Sequence, residues 1–301
     1  MRIATSQFYD RSTSQIQSLN AEADKLQTQI ATGKKLTGAS DDSVAWTQLA
    51  TLKRASANDT AYSANIKLAQ GVLSQTDSTL GSINTQLQRA NELMVQANSG
   101  TLSQDQLQSV ASSLDGIVDE LVSLSNSTDL RGQPLFGGSD SNAPYVKNAD
   151  GTVSYVSSGN APSIPIGDSD NVQVSVNGAS VFGGDGGSTP DMFKTITDFA
   201  AAIRSGGDLS GPASTAIDGI QASINSVTNA QAVAGARAAR VDQASTRMTT
   251  TATTRETLRS GLEDTDVTSA ITELQKTLTV LQATQTSFSK LSGLSLFNYL
   301  N

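Results

Sequence analysis

The stretch YSANIKLAQGVLSQTDSTLGSINTQLQRANELMVQA, residues 62–97, decides the fold class. Apolar and small side chains recur along it at alternating steps of three and four residues, the pattern of a helix that packs lengthwise on another helix. Asn98, Ser99 and Gly100 end the pattern, and a helix that begins near Asp41 is then roughly 85 Å long. Few globular domains are that wide, so the sequence predicts long helices lying side by side. The positions in register are Tyr62, Ile66, Ala69, Leu73, Thr76, Leu80, Ile83, Leu87, Ala90, Met94 and Ala97.

Two further seams of this kind lie on either side of it. The N-terminal seam ends at Gly33, a residue suited to a helix C-cap. Ser40 is the expected N-cap of the long helix, because Asp41 and Asp42 follow it where the helix dipole favours acids. A third helix is predicted after Ser103, which opens a capping-box pattern. The two seams consist of Tyr9, Ser12, Ile16, Leu19, Ala23, Leu26 and Ile30, and of Leu107, Val110, Leu114, Ile117, Leu121 and Leu124.

The C-terminal part of the chain is also helical in pattern. Thr189, followed by Pro190 and an acid, is the expected N-cap of a short helix that ends near Ser205. A very long helix follows, and its middle offers little apolar surface. The register slips near Ser260-Gly261, where a last helix starts on a new seam. The weak middle contains Gln231, Ala234, Ala238, Val241, Ser245 and Met248, and the new seam contains Val267, Ile271, Leu274, Leu278 and Leu281.

Between these helical parts the apolar period drops to two and turn residues become dense. Asp150-Gly151 separates two short apolar runs and predicts a β-hairpin. Asn177-Gly178 predicts another hairpin, in which Val172, Val174 and Val176 turn back toward Val181 and Phe182. The sequence therefore predicts a mainly α protein, a long antiparallel coiled-coil or helical bundle built from both chain ends, with a small β-rich insert. We expect a terminal helical domain (1–40 and 262–301), a helical-bundle domain (41–137 and 188–261) and a β-rich outer domain (138–187).

Composition excludes several classes of function. The 301 residues contain no histidine and no cysteine, so imidazole-dependent catalysis and thiolate metal sites are excluded and an enzyme is not expected. A net charge of −8 argues against nucleic acid or an anionic membrane as a partner. Asp168-Ser169-Asp170-Asn171 lacks the glycine and the distal glutamate of a calcium loop and is predicted to be a polar turn. We predict no cofactor and no metal, and carboxylate partners for Arg237, Arg240, Arg247, Arg255 and Arg259.

The stretch LSGLSLFNYLN, residues 291–301, is apolar around most of a helix circumference. Such a helix is stable only when other groups surround it. Those groups belong to the N-terminal helix of the same chain or to neighbouring copies, and we favour neighbouring copies. No apolar run is long enough to cross a bilayer. MRIATSQFYDR, residues 1–11, lacks the features of a Sec signal peptide, so the residues alone favour a cytoplasmic protein.

Several of these stretches resemble one family. LSLFNYL (294–300), MRIATSQFYDR (1–11) and IATGKKLTGASDD (30–42) resemble the ends of the flagellin-like hook-associated protein 3 family. Two inner stretches are also similar to this family. The segment in which the family's chain enters its outer domain resembles RGQPLFGGSDSNAPY (131–145), and the helix by which it returns resembles GARAAR (235–240). The resemblance covers nearly the whole chain. It implies a structural protein of the bacterial flagellum that joins hook to filament and is exported without a cleaved signal peptide, instead of a cytoplasmic protein.

The resemblance also implies partners: hook-associated protein 1, flagellin, further copies of the chain in a ring, and a flagellar export chaperone. It implies terminal helices that become ordered on assembly. Two other functions remain open, a filament-forming flagellin and a secreted enzyme or binding module on a helical stalk. The expected assembly interface consists of Tyr9, Ile16, Leu19, Leu26, Ile30, Leu274, Leu278, Leu281, Phe288, Leu291, Leu294, Leu296, Phe297, Tyr299 and Leu300.

Overall fold

The computed structural model describes the backbone of residues 2–159 and 162–297, and the side chains of residues 7–159 and 162–290. The helices are α1 (Arg2–Thr32), α2 (Ser43–Asn98), α3 (Gln104–Ser125), α4 (Ala179–Phe182), α5 (Met192–Ser205), α6 (Ser210–Glu263) and α7 (Val267–Phe297). The strands are β1 (Tyr145–Lys147), β2 (Val153–Tyr155), β3 (Ser163–Pro165) and β4 (Asn171–Gln173). The predicted fold class, mainly helical with a small β insert, is confirmed.

The chain forms two compact units. The first contains Met1–Asn58 and Thr250–Asn301, and the second contains Asp59–Thr249. Helices α2 and α6 contribute residues to both units, whereas α1 and α7 belong to the first and the β insert to the second. The division into three domains stays a prediction.

The seam of α2 forms the core of the second unit, as predicted. From Ile66 to Ala97, its ten predicted seam positions are each at most 3% exposed. In the predicted thin seam of α6, Ala234 and Val241 are buried and the other four residues are partly buried. Farther toward its start, Gly219 lets α6 lie close to α5, because a Cβ placed there would lie 2.9 Å from Thr195 Cγ2.

Two antiparallel hairpins make up the β insert. Strands β1 and β2 pair with Tyr145 opposite Tyr155, and the turn at Asp150-Gly151 joins them as predicted. Strands β3 and β4 pair with Ile164 opposite Val172, so the predicted hairpin at Asn177-Gly178 is wrong. The reason is local: Asn177 Oδ1 accepts the Ala179 N–H at 2.9 Å, which leads the chain into α4. Gly178 has a right-handed φ of −59°, whereas the favoured hairpin turn needs a positive φ there.

Aromatic rings join the insert to the helices. Tyr145 lies 5.2 Å from Tyr155 and 5.0 Å from Phe193 between ring centroids, and Phe136 lies 4.9 Å from Phe182. All but Tyr155 are at most 2% exposed. The Tyr145 hydroxyl donates to the Gly183 carbonyl at 3.0 Å, and burial raises the pKa of this phenol. The β insert therefore shares one core with α5.

Two helix starts differ from the prediction by two residues. Asp42 caps α2 in place of Ser40, because its Oδ1 accepts the N–H groups of Val44 and Ala45, both at 2.9 Å. Asp191 caps α5 in place of Thr189, with its carboxylate accepting the Lys194 N–H at 2.9 Å. The capping box at Ser103 is confirmed. In both errors a carboxylate nearer the helix took the role predicted for a hydroxyl.

Among the described residues, no helix combines the length and the apolar character that crossing a bilayer requires.

Candidate assembly surface

The predicted seam of α1 faces the inside of the first unit. Ala23 and Leu26 are buried, and Tyr9, Ile16, Leu19 and Ile30 are partly buried, while most residues between them are exposed. Helix α1 packs on α7, and the Tyr9 ring meets the Phe288 ring edge to face at 5.4 Å. The two helices are antiparallel, because a β-bridge joins Lys34, just after the end of α1, to Asp264, just before the start of α7. The pairing of the N- and C-terminal helices is thereby confirmed.

The stripe that helix α7 turns toward α1 overlaps the predicted seam only in part. The buried residues of α7 are Ala270, Thr277 and Leu281, and of these only Leu281 belongs to the predicted seam. The other side chains of the predicted seam lie on the neighbouring flank. Val267 is 42% exposed, Ile271 41% and Leu278 42%. We call these three residues, with the partly exposed Leu274, the open flank of α7.

The open flank lies at steps of four, three and four residues, so its side chains form a continuous apolar row on the helix surface. Among the described residues it is only partly covered, because α1 occupies the stripe beside it. Isolated exposed apolar residues are ordinary, but a row at coiled-coil spacing is typical of a surface that another helix covers. Phe8 of α1 adds an aromatic ring that is 42% exposed.

A short two-stranded joint connects the ends of α1 and α6. The Lys35 N–H donates to the Glu263 carbonyl at 2.8 Å, and the Thr265 N–H donates to the Gly33 carbonyl at 2.9 Å. Gly33 adopts a positive φ of 67°, which lets the chain leave α1 without steric strain. The Lys35 ammonium also donates to the Gly261 carbonyl at 2.7 Å. The joint therefore ties together two segments more than 220 residues apart in sequence.

Three cations converge on one carboxylate at this joint. The Glu263 side chain is 3% exposed and accepts from Lys34 Nζ at 2.7 Å and from Arg259 Nη1 at 2.6 Å, and Lys53 Nζ lies 3.4 Å away. The hydrogen bond from Lys34, with help from Arg259 and Lys53, lowers the pKa of Glu263 to about 2 in spite of burial. The charged form is therefore the stable one at neutral pH, and it holds α1, α2 and α6 at one point.

A second carboxylate holds the turn before α2. Asp41 Oδ2 accepts the Thr37 N–H at 2.9 Å, the Thr37 hydroxyl at 2.8 Å and the Gly38 N–H at 3.2 Å. These hydrogen bonds lower the pKa of Asp41 to about 2, and the bond from the Thr37 N–H has the largest effect. Lys25 of α1 lies 3.3 Å from the same carboxylate. Sequence reasoning assigned Asp41 to the first turn of α2 and missed this role, because the partners lie upstream of the helix.

The predicted arginine partners are partly confirmed. Asp170 pairs with both Arg240 and Arg247, and Arg259 pairs with Glu256 and Glu263. Arg237 donates to the Ser175 carbonyl, and Arg255 donates to the Ala55 carbonyl. The predicted polar turn at 168–171 is the β3–β4 turn. In the described part of the chain, no three acidic side chains gather as a metal site would need.

Of the predicted assembly interface, the residues from Tyr9 to Phe288 lie on the α1–α7 pair just described. The side chains of Leu291, Leu294, Leu296 and Phe297 lie outside the described residues, as do Tyr299 and Leu300 entirely.

Comparison with known proteins identifies the family. Residues 3–141 match the bacterial flagellin N-terminal helical region, and residues 217–300 match the bacterial flagellin C-terminal helical region. The chain is 30% identical over 315 residues to flagellar hook-associated protein 3 of Salmonella typhimurium, covering 99% of both chains. The chain belongs to the flagellar hook-associated protein 3 family.

More distant relatives extend the comparison. The chain is 24% identical over 269 residues to flagellin of Listeria monocytogenes, covering 89% of this chain and 86% of that one. Its fold is similar to the crystal structure of the flagellar junction protein FlgL from Legionella pneumophila, with a TM-score of 0.59 and 14% identity. That match covers 72% of this chain and all of the other.

Proposed function

We propose that this protein is a structural subunit of the bacterial flagellum that forms the junction between hook and filament. The observation that carries the proposal is the open flank of α7, an apolar row that stays partly exposed among the residues whose side chains the structure describes. A junction subunit must bind other subunits along its length, and the open flank supplies a surface for that purpose. We assign no catalytic activity to the protein, because the proposed function consists of contacts with other subunits.

In the proposed assembly the open flank and Phe8 are buried between neighbouring copies, which form a ring. The ring contacts hook-associated protein 1 on the hook side and flagellin on the filament side. We infer that residues 1–40 and 262–301 form the inner assembly domain, with the predicted C-terminal residues Leu294, Phe297 and Leu300 in the same contacts. Export without a cleaved signal peptide and a flagellar export chaperone belong to this proposal.

The test is a double substitution on the open flank, Ile271→Ser with Leu278→Ser. The matched control is Val95→Ser with Val233→Ser, since these valines are 52% and 47% exposed and lie in the other unit. Each version is expressed in the parent bacterium in place of the native protein. We expect the flank variant to be secreted but to release flagellin into the medium, and the control to retain filaments. Equal retention by both variants would contradict the proposed role of the open flank.

A filament-forming flagellin is the second candidate, favoured by the match to both flagellin regions. The discriminating observation is self-polymerisation. A junction subunit at high concentration forms no long filaments by itself, whereas a flagellin does. Long filaments from the purified chain, seen by electron microscopy, would establish the second candidate in place of the first.

A further inference from the structure

The joint at the end of α1 lies immediately before the open flank. Lys34 and Asp264 face each other across it in an antiparallel bridge. The two backbone hydrogen bonds of the joint lie on either side of this pair, so Lys34 and Asp264 form a non-hydrogen-bonded pair, whose Cα atoms are ordinarily about 4.5 Å apart. Val267, the first residue of α7 and of the open flank, comes shortly after Asp264. The joint therefore decides where the open flank begins relative to α1.

The first turn of α7 has no other polar tie to α1 among the described residues. Asp266 caps the helix, and its Oδ1 accepts the N–H groups of Thr268 and Ser269 at 3.0 Å and 3.2 Å. Both partners belong to α7, so this cap starts the helix without joining it to α1. Residues 266–269 are exposed, and Ala270 is the first buried residue of α7. With little packing beneath it, the first turn takes its direction from the joint.

Glu263 closes the joint with its backbone and its side chain together. Its carbonyl accepts the Lys35 N–H, and its carboxylate accepts Lys34 Nζ at 2.7 Å. Without the negative charge, Lys34, Lys53 and Arg259 would repel one another at the point where the joint closes. The Glu263 side chain is 3% exposed, so a neighbouring copy has almost no access to it. An effect of Glu263 on assembly must therefore pass through the geometry of the joint.

We propose that Glu263 is a positioning residue for assembly: by closing the joint, it fixes the direction of α7 and the side on which the open flank meets a neighbouring copy. This inference rests on the proposed function, in which other subunits cover the open flank. The role belongs to closure of the joint and not to the carboxylate itself. A different link across the joint must therefore be able to replace the carboxylate.

The test replaces the carboxylate by a disulfide at the same place, in a chain that has no cysteine of its own. Lys34→Cys and Asp264→Cys are added to Glu263→Gln in the full-length protein, because a facing non-hydrogen-bonded pair has the Cα separation that a disulfide requires. Each version replaces the native protein in the parent bacterium, which is grown in parallel with a mild oxidant or with dithiothreitol. We expect Glu263→Gln to be secreted but to shed flagellin into the medium. The triple variant should retain filaments in oxidant and lose them in dithiothreitol, while the wild type retains them in both.

Two controls separate positioning from other effects of the substitutions. Lys147→Cys with Val153→Cys in the Glu263→Gln chain places a disulfide at a facing pair of the β1–β2 hairpin, and it should not restore filaments. Leu26→Ala removes a buried side chain of α1 and leaves the joint intact. The joint disulfide should not improve filament retention in a Leu26→Ala chain, because its joint is already closed.

Four results would overturn the positioning role. The first two are filaments retained by Glu263→Gln, and shedding by the triple variant although mass spectrometry shows its disulfide. The third is restoration of filaments by either disulfide where the controls predict none. The fourth is a Glu263→Gln chain that is not secreted, since the defect would then precede assembly. Failure of the proposed function has a separate readout: bacteria that lack the protein altogether would keep filaments on their hooks.

Discussion

Replacing Glu263 by glutamine should loosen the joint between the ends of α1 and α6. Its pKa is lowered from the ordinary value of 4.5 to about 2. Each tenfold change in proton affinity corresponds to about 1.4 kcal/mol, so the charged form is favoured over a neutral one by roughly 3 kcal/mol. Its three cations are 31% to 53% exposed and regain water when the carboxylate is lost. We therefore expect Glu263→Gln to cost about 2 kcal/mol, somewhat below the usual cost of breaking a buried ion pair.

Hydrogen–deuterium exchange measures this cost where it arises. The amides of Lys35 and Thr265 bridge the joint, so they report its opening directly. A loss of about 2 kcal/mol corresponds to exchange about thirtyfold faster at these amides. Amides in the middle of α3, in the other unit, serve as an internal reference and should not change.

Glu256→Gln is the matched control. Glu256 pairs with the same arginine, Arg259, but its side chain is 64% exposed. An exposed pair contributes at most about 1 kcal/mol, so exchange at the joint should rise only slightly. Equal effects of the two substitutions would refute the reasoning, because burial of Glu263 would then have no consequence. Unchanged exchange in Glu263→Gln would refute it as well.

Two other predictions follow from the described contacts. Acid should open the joint: the lowered pKa of Glu263 gives stability that is complete above about pH 4.5 and is lost as the pH falls toward 2, which exchange measured across that range detects. Leu80→Ala should destabilise the second unit by roughly 2–5 kcal/mol, seen as a lower melting temperature, because this side chain is 0% exposed in the helical core.

The long helices were predictable because their burial follows periodicity alone. Every seam residue of α2 from Ile66 to Ala97 is buried, since a helix in a bundle must turn one stripe inward. The seam of α7 was predicted from its largest side chains, of which Leu281 is buried whereas Val267, Ile271 and Leu278 are 41% to 42% exposed. The small residues Ala270 and Thr277 share the buried stripe with Leu281, and a prediction from side-chain size misses them. Side-chain size therefore identified an apolar row on α7, but it did not identify which stripe of the helix faces α1.

Local polar chemistry accounts for the remaining differences. Asn177-Gly178 has the composition of a hairpin turn, but the Asn177 side chain caps the start of α4 and directs the chain elsewhere. The cluster around Glu263 was not predictable, since its lysines come from residues 34 and 53 and meet it only in the folded chain. Sequence spacing reports neighbours on one helix, whereas ion pairs across a joint depend on tertiary structure.

Deletion of the gene from the parent bacterium tests the central claim, that this protein joins hook to filament. The measurement is the amount of flagellin in the medium and on the cells, with electron microscopy of the cell surface. The account predicts intact hooks without filaments and flagellin shed as free protein, both restored when the wild-type chain is expressed again. Cells that lack the protein and still carry filaments on their hooks would contradict it.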